Sequence, residues 1–240
     1  MSDFGIIQGK NGKSIRVIEI VGPAGAGKST LCNVLVQQSQ SIQLGRFPDV
    51  WKFSEAPFFF WNGLRIALSL LGMPKNGSRQ LTRREFAWMA ILKGWPSRLQ
   101  RTLKADKDII VIDQGPIYLI SELQQTGPAY FKGLVAEKMW ETLYLPWTSV
   151  LDAIVWLDAR DNVLLKRIQA RDSYHVMKNK PDDQILQFLS DFRSTYGNVI
   201  NRMIGDSNNI KVIRFDTEQK KTTEIASDLM KILNLQEDIQ

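Results

Sequence analysis

A strand-like run, Ile15 to Val21, passes directly into Gly22-Pro23-Ala24-Gly25-Ala26-Gly27-Lys28-Ser29-Thr30, and an apolar-periodic segment follows at once. Glycine is needed in such a turn because the backbone adopts dihedrals that a Cβ would obstruct, and its N–H groups then converge on one concavity. Short apolar runs alternate with longer helical patterns along the rest of the chain. Strands are expected at Ile15 to Val21, Val50 to Ser54, Asp108 to Asp113, Ala153 to Asp158 and Ile210 to Phe215. Helices are expected at Lys28 to Gln40, Pro57 to Leu71, Thr82 to Leu103, Asn162 to Arg171 and Thr222 to Leu233. The alternation means an α/β fold. The near-continuous Ile/Val runs favour a five-stranded parallel sheet covered on both faces, hence three layers, α/β/α. Gly72 to Arg79 and Ser173 to Asp183 read as loops.

Composition narrows the class. With 240 residues, 44% hydrophobic and 23% charged, the chain has the material for one sizeable core, so residues 1–240 are read as one domain. Cys32 is the single cysteine, which excludes an intrachain disulfide and a cysteine-rich zinc site and fits a reducing, cytoplasmic setting. Met1 to Lys13 lacks the basic-then-apolar order of a secretory signal. Ala56 to Met73 is the most lipid-like stretch, but Asn62 and Arg65 interrupt it, so it reads as a buried amphipathic helix and no membrane association is expected. The net charge of +6 comes from basic residues interleaved with acids, a pattern that suits a phosphorylated small ligand better than a nucleic-acid polymer.

The turn at Gly22 to Ser29 is the P-loop pattern, in the strand-to-helix context that pattern requires. Its amides surround phosphate oxygens, and the following helix turns its positive end to the same anion. Lys28 supplies an ammonium to the β- and γ-phosphates and the Ser29 hydroxyl ligates Mg²⁺. Gly22, Pro23, Ala24, Gly25, Ala26, Gly27, Lys28, Ser29 and Thr30 are therefore the expected nucleotide-binding set, with ATP and Mg²⁺ as its ligands. The run Asp108 to Ile112 ends in Asp113, where a carboxylate at the tip of a buried strand can hold Mg²⁺ or accept a proton.

Beyond the cradle, Ala153 to Arg171 (Ala-Ile-Val-Trp-Leu-Asp-Ala-Arg-Asp-Asn-Val-Leu-Leu-Lys-Arg-Ile-Gln-Ala-Arg) resembles the fourth strand and lid of P-loop nucleoside and nucleoside-monophosphate kinases, in the deoxynucleoside and thymidylate kinase branch. The resemblance implies a lid at about residues 160–185 that closes Arg167 and Arg171 over the ATP phosphates. Two arginines four apart would share one helix face. A third lid arginine of the family is replaced by Ser173, with Arg160, His175 and Lys178 as candidate substitutes. Ser54-Glu55-Ala56-Pro57, followed by Trp61, is similar to the Glu-Pro turn of deoxynucleoside kinases, with Ala56 inserted. The resemblance implies that Glu55 takes the proton from the acceptor hydroxyl, and Asp113 is the second candidate. Where both families place an arginine after the acid ending the third strand, Gln114 stands. Arg83, Arg84 and Arg98 are candidates for an acceptor phosphate. Phe58 to Trp61 can wall a planar substrate or pack. The family's pairing through the helices after strands two and three implies a homodimer, with Trp61, Trp88 and Trp95 in those helices.

The implied function is Mg²⁺-dependent transfer of the ATP γ-phosphate to a small acceptor: a nucleoside, a nucleotide or another small alcohol. The alternative is a regulatory nucleotide-binding switch with no small acceptor. Asn179-Lys180-Pro181-Asp182 matches the guanine-reading motif of such switches by letters, yet it follows a polar segment rather than a buried strand, and Asp113-Gln114-Gly115 lacks their Asp-x-x-Gly spacing.

Overall fold

The computed structural model describes residues 17–45, 47–49, 52–71, 79–105, 109–132, 135–172, 175–206 and 210–233. Strand β1 (Val17–Val21) is buried along its whole length and forms the middle of a five-stranded parallel sheet. β3 (Ile109–Ile112) and β4 (Ala153–Asp158) flank it, with Ile18 opposite Val111 and Ala153. β2 (Ile42–Leu44) and β5 (Lys211–Asp216) take the edges, giving the order β2-β3-β1-β4-β5. Parallel neighbours require crossovers, and helices supply them: α1 (Lys28–Gln38), α2 (Ala56–Leu70), α3 (Arg83–Ala105), α4 (Pro116–Thr126), α5 (Val135–Thr148), α6 (Asp161–Gln169), α7 (Asp182–Gly205) and α8 (Thr222–Ile232).

Alternation along the strands divides the core in two. Ile18, Ile20, Val111 and Val155 pack with Leu31 and Leu35 of α1 and Ile225 and Leu229 of α8. Val17, Val21, Ile110, Ile112 and Ile154 pack with α3, α4, α5 and α7. On that second side Trp140 and Trp147 are fully buried, and each indole N–H finds a backbone carbonyl, Phe131 O at 3.0 Å and Leu92 O at 2.9 Å. The three-layer α/β/α expectation holds. No helix among the described residues is long and apolar enough to cross a membrane.

Several expectations need correction. The second strand is Ile42–Leu44 rather than Val50 to Ser54; Phe53–Glu55 is a 3₁₀ turn entering α2, and Val50 and Trp51 lie outside the described residues. The real strand eluded a search for apolar runs because it is a three-residue edge strand with one buried side chain, Ile42, while Phe53 is 94% exposed. Helix α2 is not a buried amphipathic helix: Asn62, Gly63 and Ile66 are its buried residues, and Phe60, Trp61, Leu64 and Leu68 are exposed. Trp95 is core, edge-on to Trp147 and Phe47, and is not part of a surface. Helix α6 stops at Gln169, so Arg171 lies beyond the helix that was to carry it. The Ser173 to Asp183 loop already becomes α7 at Asp182, and residues 72–78 of the other expected loop fall outside the described set.

One polar residue sits in the middle of the sheet. Glu19 on β1 is fully buried, and its carboxylate accepts the Ile117 and Tyr118 N–H groups, both at 3.0 Å, at the start of α4. Gly115 lies so close that a Cβ there would come within 2.6 Å of the Glu19 carboxyl carbon. Burial pushes the Glu19 pKa up to about 8 against the pull of those amides. Because the native value exceeds the ordinary 4.5, the stability this group contributes is complete below about pH 4.5 and is lost as pH rises through about 8. Thermal unfolding of the wild type should therefore weaken between pH 5.5 and 9, by a few kcal/mol if Glu19 acts alone. The Glu19→Gln variant should show a visibly flatter profile, and an equally steep one would refute this account.

Candidate active site

The cradle joins β1 to α1 at the carboxyl edge of the sheet, where ligands of open parallel sheets bind. Gly22 has φ 147°, and a Cβ there would stand 2.1 Å from the Leu157 carbonyl oxygen of β4, so only glycine lets the loop leave the sheet at this point. Gly27, at φ 89°, starts α1 from a left-handed conformation. The Ala26 N–H turns back to Pro23 O at 3.3 Å. Lys28 extends its ammonium across the loop, donating to Gly22 O at 2.8 Å and Pro23 O at 3.1 Å. Burial lowers its pKa to about 8, with neighbouring Asp113 acting in the opposite direction.

The Ser29 hydroxyl donates to Asp113 Oδ2 at 2.6 Å, which joins the first turn of α1 to the end of β3. Asp113 Oδ1 is buried and has no hydrogen-bond partner among the described residues. An orphaned carboxylate oxygen next to a serine hydroxyl is a donor set that suits a hard divalent cation, so Ser29 and Asp113 fit Mg²⁺.

A cavity of about 350 Å³ opens over this cradle. The cradle residues Ala24, Gly25, Gly27, Lys28, Ser29 and Thr30 form its floor. Asp113 and Gln114 border it from β3, Tyr118 and Glu122 from α4, and Arg167, Arg171 and His175 from α6 and the turns after it. Phe188, Phe192 and Tyr196 of α7 make an aromatic wall, one residue per turn. Burial raises the Glu122 pKa, and the Tyr118 hydroxyl bonds to it. The structure thus brings Lys28, Ser29, Asp113, Arg167 and Arg171 together around one space.

Glu55 stands apart from that lining. It ends the 3₁₀ turn Phe53–Glu55 that enters α2, on the segment between β2 and β3. Arg98 of α3 grips it with two hydrogen bonds, Nη2 to Oε1 at 2.9 Å and a shorter one from Nη1 to Oε2, and holds its carboxyl below the ordinary range. The Arg98 guanidinium also lies 5.2 Å from the Phe58 ring centroid. Arg83 and Arg84 are on the first turn of α3, and Arg84 stacks on Trp88 at 4.4 Å.

The arginines after β4 divide their work. Arg167 donates to Gly25 O at 3.3 Å and to Thr217 Oγ1 and Thr217 O, both at 2.9 Å, so it ties the cradle to the turn after β5. Arg160 pairs with Glu218 on the surface. Arg193 of α7, which the sequence reading missed, bonds both oxygens of Asp158, the Ala159 carbonyl and Asp161, fixing the start of α6. No motif marks Arg193. The aromatic wall and the Tyr118–Glu122 pair were also missed. Their four-residue spacings become informative only once those segments are read as helices. Asn179-Lys180-Pro181-Asp182 occupies the turn before α7 and does not follow a strand, and Gln169 donates to Asp182 at 2.7 Å, so the guanine-reading likeness is one of letters alone.

No family model and no curated protein sequence matches this chain. Solved structures do. A thymidylate kinase from Candida albicans matches at 14% identity over 92% of this chain and 92% of that one, with a TM-score of 0.53. A deoxyadenosine kinase from M. mycoides, with dCMP and dCDP bound as products, matches at 15% identity over 91% of this chain and 99% of that one, with a TM-score of 0.50. The chain has the fold of the P-loop nucleoside and nucleotide kinases.

The Glu55–Arg98 pair can be tested directly. In an Arg98→Met variant the Glu55 carboxyl should titrate closer to the ordinary carboxylate range, followed by carboxyl-carbon NMR. An unmoved titration would mean that the pair does not form in solution.

Proposed function

We propose that this protein is a Mg²⁺-dependent kinase that moves the γ-phosphoryl group of ATP to the hydroxyl of a small uncharged acceptor, with a nucleoside as the best-fitting class. The observation that carries the reading is the conjunction of the glycine cradle, Lys28 and the Ser29–Asp113 pair on one cavity with an aromatic wall. The names of the structural neighbours, a thymidylate kinase and a deoxyadenosine kinase, support a kinase, and the second supports a nucleoside acceptor.

Phosphoryl transfer asks the protein to hold donor and acceptor in line, to neutralise charge on the moving group and to keep water out. The cradle amides from Gly22 to Thr30 and the Lys28 ammonium grip the polyphosphate, and Lys28 exchanges its carbonyl partners for phosphate oxygens as it does so. Ser29 and Asp113 would hold Mg²⁺, which supplies charge neutralisation across the β- and γ-phosphates. Arg171 adds positive charge from the lid side, and Arg167 keeps the cradle registered against the turn after β5. Because Asp113 is engaged by Ser29, the acceptor's proton is assigned to Glu55, ionised at neutral pH and outside the cavity lining, which requires an acceptor that extends beyond the lining to reach it. The choice of an uncharged acceptor is supported by Gln114, Tyr118 and Glu122 in the lining, which offer hydrogen bonds and one acid, and by the commitment of Arg98 to Glu55. Phe188 and Phe192, 4.5 Å apart between centroids, offer ring faces for a planar group. A lone buried Cys32 is consistent with work in the cytoplasm.

The test is a γ-phosphate transfer screen over nucleosides, nucleoside monophosphates and small alcohols. Lys28→Ala should lose at least about 100-fold in kcat/KM, as removal of a preorganised charge contact does. Asp113→Asn should raise the Mg²⁺ requirement, whereas Glu55→Gln should lower kcat and leave that requirement unchanged. Normal turnover by Glu55→Gln together with a dead Asp113→Asn would move the proton to Asp113. GTP-selective binding with no acceptor-stimulated consumption would refute the kinase reading.

A second copy of the chain is the proposed occupant of the exposed face of α2. Trp61, Leu64, Leu68 and Leu71 recur at spacings of three and four, as in the seam of a helix pair, and range from 46% to 77% exposed. Equilibrium sedimentation should show a dimer for the wild type and a monomer for Leu64→Glu/Leu68→Glu. A monomeric wild type at tens of micromolar would exclude this interface.

A further inference from the structure

Lys28 of α1, Arg171 beyond the end of α6 and His175 in the turns before α7 bring nitrogen-bearing groups from three elements to one cavity. Arg167 borders it too, but its guanidinium is occupied by Gly25 O and Thr217. Of the three candidates to replace an absent lid arginine, Arg160 is paired with Glu218 and its side chain is 74% exposed, and Lys178 is not part of the lining. His175 is.

The imidazole is held in a defined state. Its Nδ1 accepts the Met177 N–H at 3.2 Å, which leaves the ring proton on Nε2. Phe188 of α7 meets the ring edge-on, with centroids 5.9 Å apart and planes at 82°. A second proton would have to enter at Nδ1, against the Met177 N–H. It would also add a cation beside the two that already face the ring, Lys28 from α1 and Arg171 from the end of α6. Asp113 and Glu122 are the carboxylates on the same cavity. Burial and those two cations hold the His175 pKa below its usual 6.5, consistent with a neutral ring at pH 7.

We propose that His175 is a catalytic residue of this kinase, contacting the polyphosphate chain through a neutral imidazole that donates its Nε2–H to a phosphate oxygen. The inference rests on the kinase reading above. A neutral donor suits the place: Lys28, Arg171 and Mg²⁺ would supply charge, and the histidine adds a directional hydrogen bond from a ring whose tautomer is set by Met177 and which packs against Phe188. It also keeps phosphate recognition independent of histidine ionisation above pH 7.

The experiment uses the fact that His175 is the sole histidine of the chain. In protein labelled with ¹⁵N-histidine, two ring-nitrogen signals report one residue. The expected spectrum at pH 7.5 is the neutral Nε2–H tautomer, with the Nε2 and attached proton signals moving downfield on saturation with inorganic tripolyphosphate. In the transfer assay, His175→Ala should lose about 10- to 100-fold in kcat/KM for ATP, the scale of one phosphate-directed donor. His175→Gln, whose amide can reach the Nε2 position, should recover most of the loss, and His175→Asn should not. An Nδ1–H tautomer, or tripolyphosphate binding that leaves the Nε2 signals unmoved, would overturn the role of His175 and spare the kinase reading. So would an alanine variant that melts earlier but turns over normally. Failure of tripolyphosphate to bind at all would overturn both.

Discussion

Everything at the carboxyl edge of the sheet depends on one close backbone approach, Gly22 against the Leu157 carbonyl. β1 is paired on both sides, so the chain leaving it can turn only upward, and a side chain at position 22 would collide with β4 as it does so. With glycine there, the loop folds back over the start of α1, Lys28 lies across its own carbonyls, and Ser29 comes within hydrogen-bonding distance of Asp113 on the neighbouring strand. The parallel register of β1, β3 and β4 thereby becomes a set of three adjacent chemical positions: carboxylate, cradle, and the arginine-bearing segment after β4.

Charge is arranged across that edge with little waste. Several guanidinium groups away from the cavity are bound to carboxylates: Arg98 to Glu55, Arg160 to Glu218, Arg193 to Asp158 and Asp161, Arg202 to Glu137. Exposed pairs of this kind contribute little stability each, generally under about 1 kcal/mol. Their effect is to orient the elements they join. Glu19 illustrates the cost of orientation from inside the core: a buried carboxyl, expensive to ionise, secures the first turn of α4, and that turn positions Tyr118.

Much of this was legible in the letters. Strands Val17–Val21, Ile109–Ile112 and Ala153–Asp158 announced themselves as buried apolar runs, Lys211–Asp216 as an apolar run of which only Phe215 is buried, and the cradle by glycines whose spacing has a steric cause. β2 was not legible, because an edge strand of three residues needs only one apolar side chain. The exposed apolar face of α2 misled for the opposite reason: hydrophobicity predicts burial within a monomer, and Phe60, Trp61 and Leu64 are at its surface. Lys28, Ser29 and Asp113 could be brought to one cavity from the sequence because their positions are local to strand ends. The Glu55–Arg98 pair, the Arg193 hub and the aromatic row of α7 depend on contacts between residues 30 or more positions apart or on helices not singled out beforehand, and no short pattern encodes them.

Arg193 follows Phe192 immediately on α7. The side chain that clamps the entrance of α6, through Asp158, Ala159 and Asp161, thus shares a helical turn with the ring that faces the cavity. Rotation of α7 about its axis would move both at once, swinging the aromatic surface and tugging the arginine-bearing segment in a single stroke. The wall of the chamber and the start of α6 are thus held in place by two consecutive residues of one helix.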